Sequence, residues 1–184
     1  MRQPLLAVAI GLVIVALYSR AGGFDLLPDP IGWALVLGAL RTITHRVELS
    51  ARSVLWVLGI GALLASAVLW WPSVHDWFAD ADPALGWAID LPSLTFCAVL
   101  CHALSVQARA AGETFATGWL AWTAIGFVLS ALAPAVVIGG GVESLRDPAG
   151  IVTGLSQVSL FVLCLAYAAR AWAGAAESPR DAGE

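Results

Sequence analysis

Lysine is missing from this chain of 184 residues, and charge of any kind is scarce: 12% of residues are charged against 60% hydrophobic. An average soluble domain carries about 25% charged residues, so this chain has too little polar surface to cover a water-soluble core. Also absent is the residue-by-residue alternation that a closed membrane barrel needs, which leaves helices to satisfy the backbone hydrogen bonds in lipid. Cysteine is sparse. Cys97, Cys101 and Cys164 all fall inside apolar runs, where they suggest small apolar fillers and no extracellular disulfide framework. No Gly-x-Ser-x-Gly elbow, phosphate loop, dinucleotide fingerprint or HExxH occurs. Catalysis needs a nucleophile with its base, or a metal cluster, and neither can be assembled, so an enzyme is disfavoured and no cofactor is expected. Nothing points to nucleic acid.

What is present is a succession of apolar segments at roughly 4–19, 30–44, 53–71, 88–107, 117–138 and 150–171. A spanning helix needs about 20 residues, or 17 at the short end. The later four qualify easily, and the second qualifies only if it starts near Pro28 and reaches Thr44 with Arg41 snorkelling to the headgroups. The expectation is an all-α polytopic membrane bundle of about six transmembrane helices, built as three hairpins with the second helix short. Residues 1–173 form its single domain, and 174–184 read as a disordered polar tail. The first segment has a basic start and a Ser-Arg-Ala that could pass for a cleavage site, but it is read as an uncleaved first helix because further spans follow.

With six spans, Arg2, Arg41, Arg46, Arg52, Arg109, Arg170 and Arg180 fall on one side and Arg20 and Arg146 on the other, seven against two. The positive-inside rule then places both termini in the cytoplasm of a bacterial inner membrane. A five-span chain, in which the second segment dips in and returns, exchanges Arg2 for Arg20 and gives the same ratio. Asp-Pro followed by Gly introduces segments two, four and six, as "DPIG", "DPALG" and "DPAG". Asp caps a helix start and Pro at the first helical position lacks the N–H that would go unpaired, so each marks a helix N-terminus. Under six spans all three lie on the outer side. Trp33, Trp70, Trp71, Trp77 and Trp87 fall near that boundary, and Trp56, Trp119, Trp122 and Trp172 near the inner one, as headgroup anchors.

Three sets of side chains are candidates for function. The loop "WWPSVHDWFADADP" carries His75, Asp76, Asp80 and Asp82, which could hold a divalent cation or form a solvated acidic loop. On the fourth segment Asp90, Cys97 and Cys101 fall within about 40 degrees of one another at helical periodicity, with His102 beside them. That set suits a proton relay or soft-metal site; the alternative is that Asp90 caps a helix starting at Leu91, two residues from Pro92. Ser156, Gln157 and Ser159, with "GIGALLAS" in the third segment, read as surfaces for close helix packing, since a polar pore would need more such residues on several helices.

The third candidate is "FDLLPDPIGW". Its Asp25, Leu26, Leu27, Pro28, Asp29, Ile31, Gly32 and Trp33 resemble the Asp-Leu-Leu-Pro-Asp-x-Ile-Gly-Tyr/Trp signature that follows the first helix of a group of small bacterial multi-pass membrane proteins. Pro30 stands where an aromatic is frequent in that group, stiffening the turn. The resemblance implies a category and no mechanism. Asp29 has a capping reason to be acidic; Asp25 has none and is the first residue to mutate. The leading expectation is a non-catalytic membrane component or partner-binding subunit, in contact with lipid and with another membrane protein or a second copy. The alternatives are a small transporter or ion-coupled carrier using Asp25, Asp29, Asp90 and His102, and a membrane enzyme or metal-binding protein using the acidic loop.

Overall fold

A computed structural model describes residues 2–16, 20–21, 24–25, 29–70 and 83–176. Helix α1 (Pro4–Ala16) leads through a two-residue antiparallel rung, β1 (Arg20–Ala21) with β2 (Phe24–Asp25), into α2 (Asp29–Arg46) and α3 (Arg52–Leu69). Then follow α4 (Pro83–Ala110), α5 (Thr114–Pro134), a π turn over Ala135–Gly139, a 3-10 turn over Glu143–Leu145, α6 (Arg146–Ala166) and a last 3-10 turn, Ala171–Ala173. The fold is an all-α bundle. Helix α3, α4 from Ala84, α5 with its extension to Gly139, and α6 with the turn before it are each long and apolar enough to cross a membrane. The protein is thus a multi-pass membrane helix bundle. Helix α1 is apolar but has only 13 residues, and α2 carries Asp29, Arg41 and Arg46 within its 18.

Each helix packs against its sequence neighbours, and α6 closes on α1, so the six form a ring. Large apolar side chains turned outward, such as Val57 and Leu64 on α3, Trp122 on α5 and Leu155 on α6, give the ring the apolar exterior that lipid requires. Inside, Leu5, Leu40, Ile43, Leu55, Leu100, Leu104, Phe127 and Leu160 are fully buried.

One end of the ring is tied together by its own chain. The Ala176 amide donates to Arg2 O at 3.0 Å, Arg46 Nη1 to Gly174 O at 2.8 Å, and Gln107 Nε2 to Glu48 O. Arg170 pairs with Glu113 at 3.4 Å. The start of α1, the end of α2, the α4–α5 connection and the C-terminal segment therefore share this end, and α2 returns to the level from which α1 departs. Arg2, Arg46, Arg52, Arg109 and Arg170 gather here, with Arg41 about one turn inward on α2. Arg20 and Arg146 belong to the other end.

Several expectations need correction. Helix α2 does not end at Thr44 but runs on to Arg46, because Ile43 and Thr44 are covered and hold the last turns in place. The cover includes the C-terminal segment, where a Cβ on Gly174 (φ +84°) would sit 3.2 Å from Ile43 Cα. Gly174 to Ala176 accordingly belong to the folded unit and not to a polar tail; residues 177–184 lie outside the described residues. Trp33 is no interfacial anchor either. Enclosed by α1, α3 and α4, it is 1% exposed and meets Phe96 edge-on at 5.2 Å. Trp119 and Trp122 do face outward, 51% and 69% exposed. The Asp-Pro start of α6 is shifted by a turn fraction: the helix begins at Arg146, so Asp147 and Pro148 sit inside its first turn.

Small residues pack helices together in the third and sixth segments, as expected, and also at a crossing of α1 with α2. A Cβ on Gly11 would meet Gly32 O at 2.5 Å, and one on Gly32 would meet Gly11 O at 2.6 Å, so α1 and α2 cross backbone to backbone. Gly59 lets α3 approach Leu37 and Phe96. Gly126 lies under the Ser156 hydroxyl, and Thr123 and Ser159 share a hydrogen bond of 2.7 Å between α5 and α6.

Candidate functional site

Proline inside a helix removes an N–H donor and releases the carbonyl four residues earlier. Pro134 does this to Ser130 O near the end of α5, and the backbone responds by widening into the π turn that follows. The Ala135 amide turns to Leu132 O, and Trp87 Nε1 on α4 donates to Ala131 O at 2.8 Å. Trp87 is therefore pulled into the bundle, where its sequence position had suggested an interfacial anchor. It borders a cavity.

That cavity has a volume of about 590 Å³ and is lined from all six helices, inside the range of about 300–1,000 Å³ usual for small-molecule sites. It lies toward the end opposite the arginine cluster, where α2, α4 and α6 begin. Asp29, Asp90 and Arg146 border it, with Ser66, Ser93, Ser130, Thr153 and Gln157, and with Trp33 and Trp87.

Asp90 is not a helix cap. Helix α4 runs unbroken from Pro83 through Pro92 to Ala110, so Asp90 stands inside it and presents its carboxylate to the cavity. Proline is tolerated there because a surrounding bundle can re-satisfy the freed backbone. No hydrogen bond or ion pair joins Asp90 to any described residue, and the same holds for Ser93, Arg146 and Gln157. The remaining hydroxyls are committed to their own helices: Ser66 donates to Leu63 O at 2.9 Å, Ser130 to Gly126 O at 2.8 Å and Thr153 to Ala149 O at 2.9 Å. They offer lone pairs only. The cavity thus holds four groups with no partner among the described residues: an anion, a cation, a hydroxyl and an amide.

Compared with protein-family models, curated proteins and solved structures, the chain matches none. The site has to be judged on its own geometry.

The structure brings Asp29 and Asp90 to one cavity and separates His102 from them. His102 is exposed on the outside of α4, twelve residues or about 18 Å beyond Asp90 along the helix, so the two do not form a relay. Cys97 and Cys101 are buried among apolar neighbours. Gly32 serves the contact with Gly11. Asp25 lies on β2 opposite Arg20, with its side chain outside the description, and Pro28 lies outside it altogether. So do His75, Asp76, Asp80 and Asp82; among the described residues no three His, Cys, Asp or Glu side chains are grouped to hold a metal. Ser66, Trp87, Ser130, Arg146, Thr153 and Gln157 were not legible as site residues, because they are scattered over four helices and no helix contributes more than three.

Below the polar cavity is an apolar crevice of about 290 Å³. Val15, Trp33, Ser93, Leu94 and Gln157 border both spaces. The other walls of the crevice are apolar, among them Leu12, Phe127, Leu160 and Phe161.

Proposed function

We propose that this protein is a small membrane carrier that binds a charged small molecule in the cavity between its six helices. One observation supports this above others: the Asp90 carboxylate, without a partner among the described residues, faces a cavity of about 590 Å³ that every helix of the ring helps to line. Ionisable residues within membrane-spanning segments are rare and functional by default. Asp90 and Arg146 are the binding charges, Ser93 and Gln157 orient the ligand, and Trp87 fixes α4 to α5 at the cavity wall. Toward the arginine-rich end the bundle is closed by Phe96, Leu100, Leu104 and Phe127, so the conformation is a binding state accessible from one side. The arginine distribution supports both termini lying in the cytoplasm of a bacterial inner membrane, with the cavity toward the outer face.

Uptake into vesicles tests the proposal. Vesicles carrying the full chain should accumulate at least one labelled solute from a panel of amino acids, amines and organic anions, and Asp90→Asn should abolish that uptake. A panel in which no solute separates the two would reject the carrier reading.

A second reading, a partner-binding subunit, draws support from an open groove between α5 and α6 lined by Phe115, Trp119, Trp122, Leu155, Val158 and Val162. Cross-linking from Trp122→Cys to a second membrane protein would favour it.

A further inference from the structure

The polar cavity and the apolar crevice share five wall residues, and we infer that they form one site whose ligand is an amphiphile: a headgroup bearing both a cationic nitrogen and an anionic group, with a hydrocarbon chain laid in the crevice. This inference rests on reading the cavity as a ligand site. The chain portion follows from the change in wall chemistry. Ser93 and Gln157 stand at the junction, and on one side of them the walls carry Asp90 and Arg146 while on the other they carry Leu12, Phe127 and Phe161. The crevice also reaches the lipid-facing surface, since one of its walls is Val158 on α6, 61% exposed. A chain can therefore enter sideways between α1 and α6 while its headgroup moves into the polar cavity. A wholly water-soluble ligand would leave the crevice unfilled, and a wholly apolar one would leave the charges unanswered.

The headgroup follows from the charges. Asp90 and Arg146 border the same cavity with opposite sign, yet they do not pair with each other or with any other described residue. Both side chains are exposed at the cavity wall, so each is free to meet a ligand group of opposite sign there. An anionic amphiphile would leave Asp90 repelled and a cationic one would leave Arg146 repelled. A phosphate or carboxylate suits the guanidinium fork of Arg146, and a primary or quaternary nitrogen suits the Asp90 carboxylate.

The test uses the full chain in maltoside micelles with lysophosphatidylethanolamine carrying a photoreactive group in its acyl chain. Labelling should map to Leu12–Ala16 on α1 and Val158–Phe161 on α6, should be competed by the unlabelled lysolipid, and should fall at least about tenfold in Asp90→Asn or Arg146→Gln, the loss expected for one charge-assisted contact. Both variants should keep the wild-type melting temperature, so lost labelling would not reflect unfolding. Labelling spread over the outer faces of α3 and α5, or unchanged in both variants, overturns the inference. Phosphoethanolamine alone, without a chain, separates the two levels. If it raises the melting temperature as much as the lysolipid does, the amphiphile inference fails and the cavity reading stands. If neither compound has any effect, the amphiphile inference fails; the cavity reading fails with it only if Ser93→Cys also resists a hydrophilic thiol reagent.

Discussion

Gly32 and Gly38 lie on the same helix, and adding one methyl group to each should move stability in opposite directions. Alanine is intrinsically better than glycine in a helix by about 0.5–1 kcal/mol. At Gly38 nothing lies within 4 Å of the added carbon, so Gly38→Ala should stabilise by up to about that amount. At Gly32 the same carbon would lie 2.6 Å from Gly11 O and 2.7 Å from Val15 Cγ2, with Ile14 Cβ at 3.3 Å. The obstacle at 2.6 Å is backbone, so α1 and α2 must separate by several tenths of an ångström, and overpacking of this kind costs about 1–3 kcal/mol. The intrinsic gain does not offset that. Gly32→Ala should therefore destabilise by about 1–2 kcal/mol net, and Gly11→Ala similarly. Because both substitutions act on one crossing, the double variant should cost less than the sum of the two. Equilibrium unfolding in mixed micelles measures all four proteins. Gly32→Ala at least as stable as Gly38→Ala would refute the backbone contact between α1 and α2, and with it the hairpin that makes α2 a returning helix.

Other substitutions probe other joints of the same account. Trp87→Phe removes the donor to Ala131 O and should cost about 1 kcal/mol, the usual net worth of a buried neutral hydrogen bond, read by the same unfolding assay. Arg46→Ala releases Gly174 O, so tryptic cleavage after Arg170 should speed up while cleavage after Arg109 is unchanged. Asp90→Asn should leave the melting temperature where it is, since no described group depends on the carboxylate; a large fall would give Asp90 a structural role instead. Reporters fused after Arg20 and after Arg46 should report opposite compartments, and a common compartment would mean that α2 does not cross.

The bundle was legible in the sequence because its cause is local. Apolar runs long enough to span lipid, Asp-Pro starts and small residues in the third and sixth segments act within one helix or one crossing, and the Gly59 and Ser159 contacts are where such residues belong. The cavity was not legible because its cause is collective. Ser66, Ser130, Thr153 and Gln157 look like isolated packing residues along the chain, and only the ring brings them together with Asp90. Pro92 misdirected the reading of Asp90, since a proline two residues on normally marks a helix start, whereas here α4 continues through it. Trp33 and Trp87 misled for a related reason: an indole suits a headgroup boundary and a buried carbonyl or aromatic edge equally well, and position along the chain does not distinguish them. In the sequence Arg146 reads only as a charge on one side of the membrane, and its place beside Asp90's cavity depends on the packing of the whole ring.

The central claim is that a polar space reaches into the helix bundle at the level of Asp90, and one reaction tests it most directly. Ser93→Cys places a thiol on the cavity wall one turn from Asp90, while Cys97, Cys101 and Cys164 are buried and leave a quiet background. A small charged thiol reagent added to intact membranes should modify Ser93→Cys and spare both the wild-type chain and Ala103→Cys, which puts a thiol in the packed core. A Ser93→Cys thiol as inert as the one at position 103 would contradict the cavity and the function proposed from it.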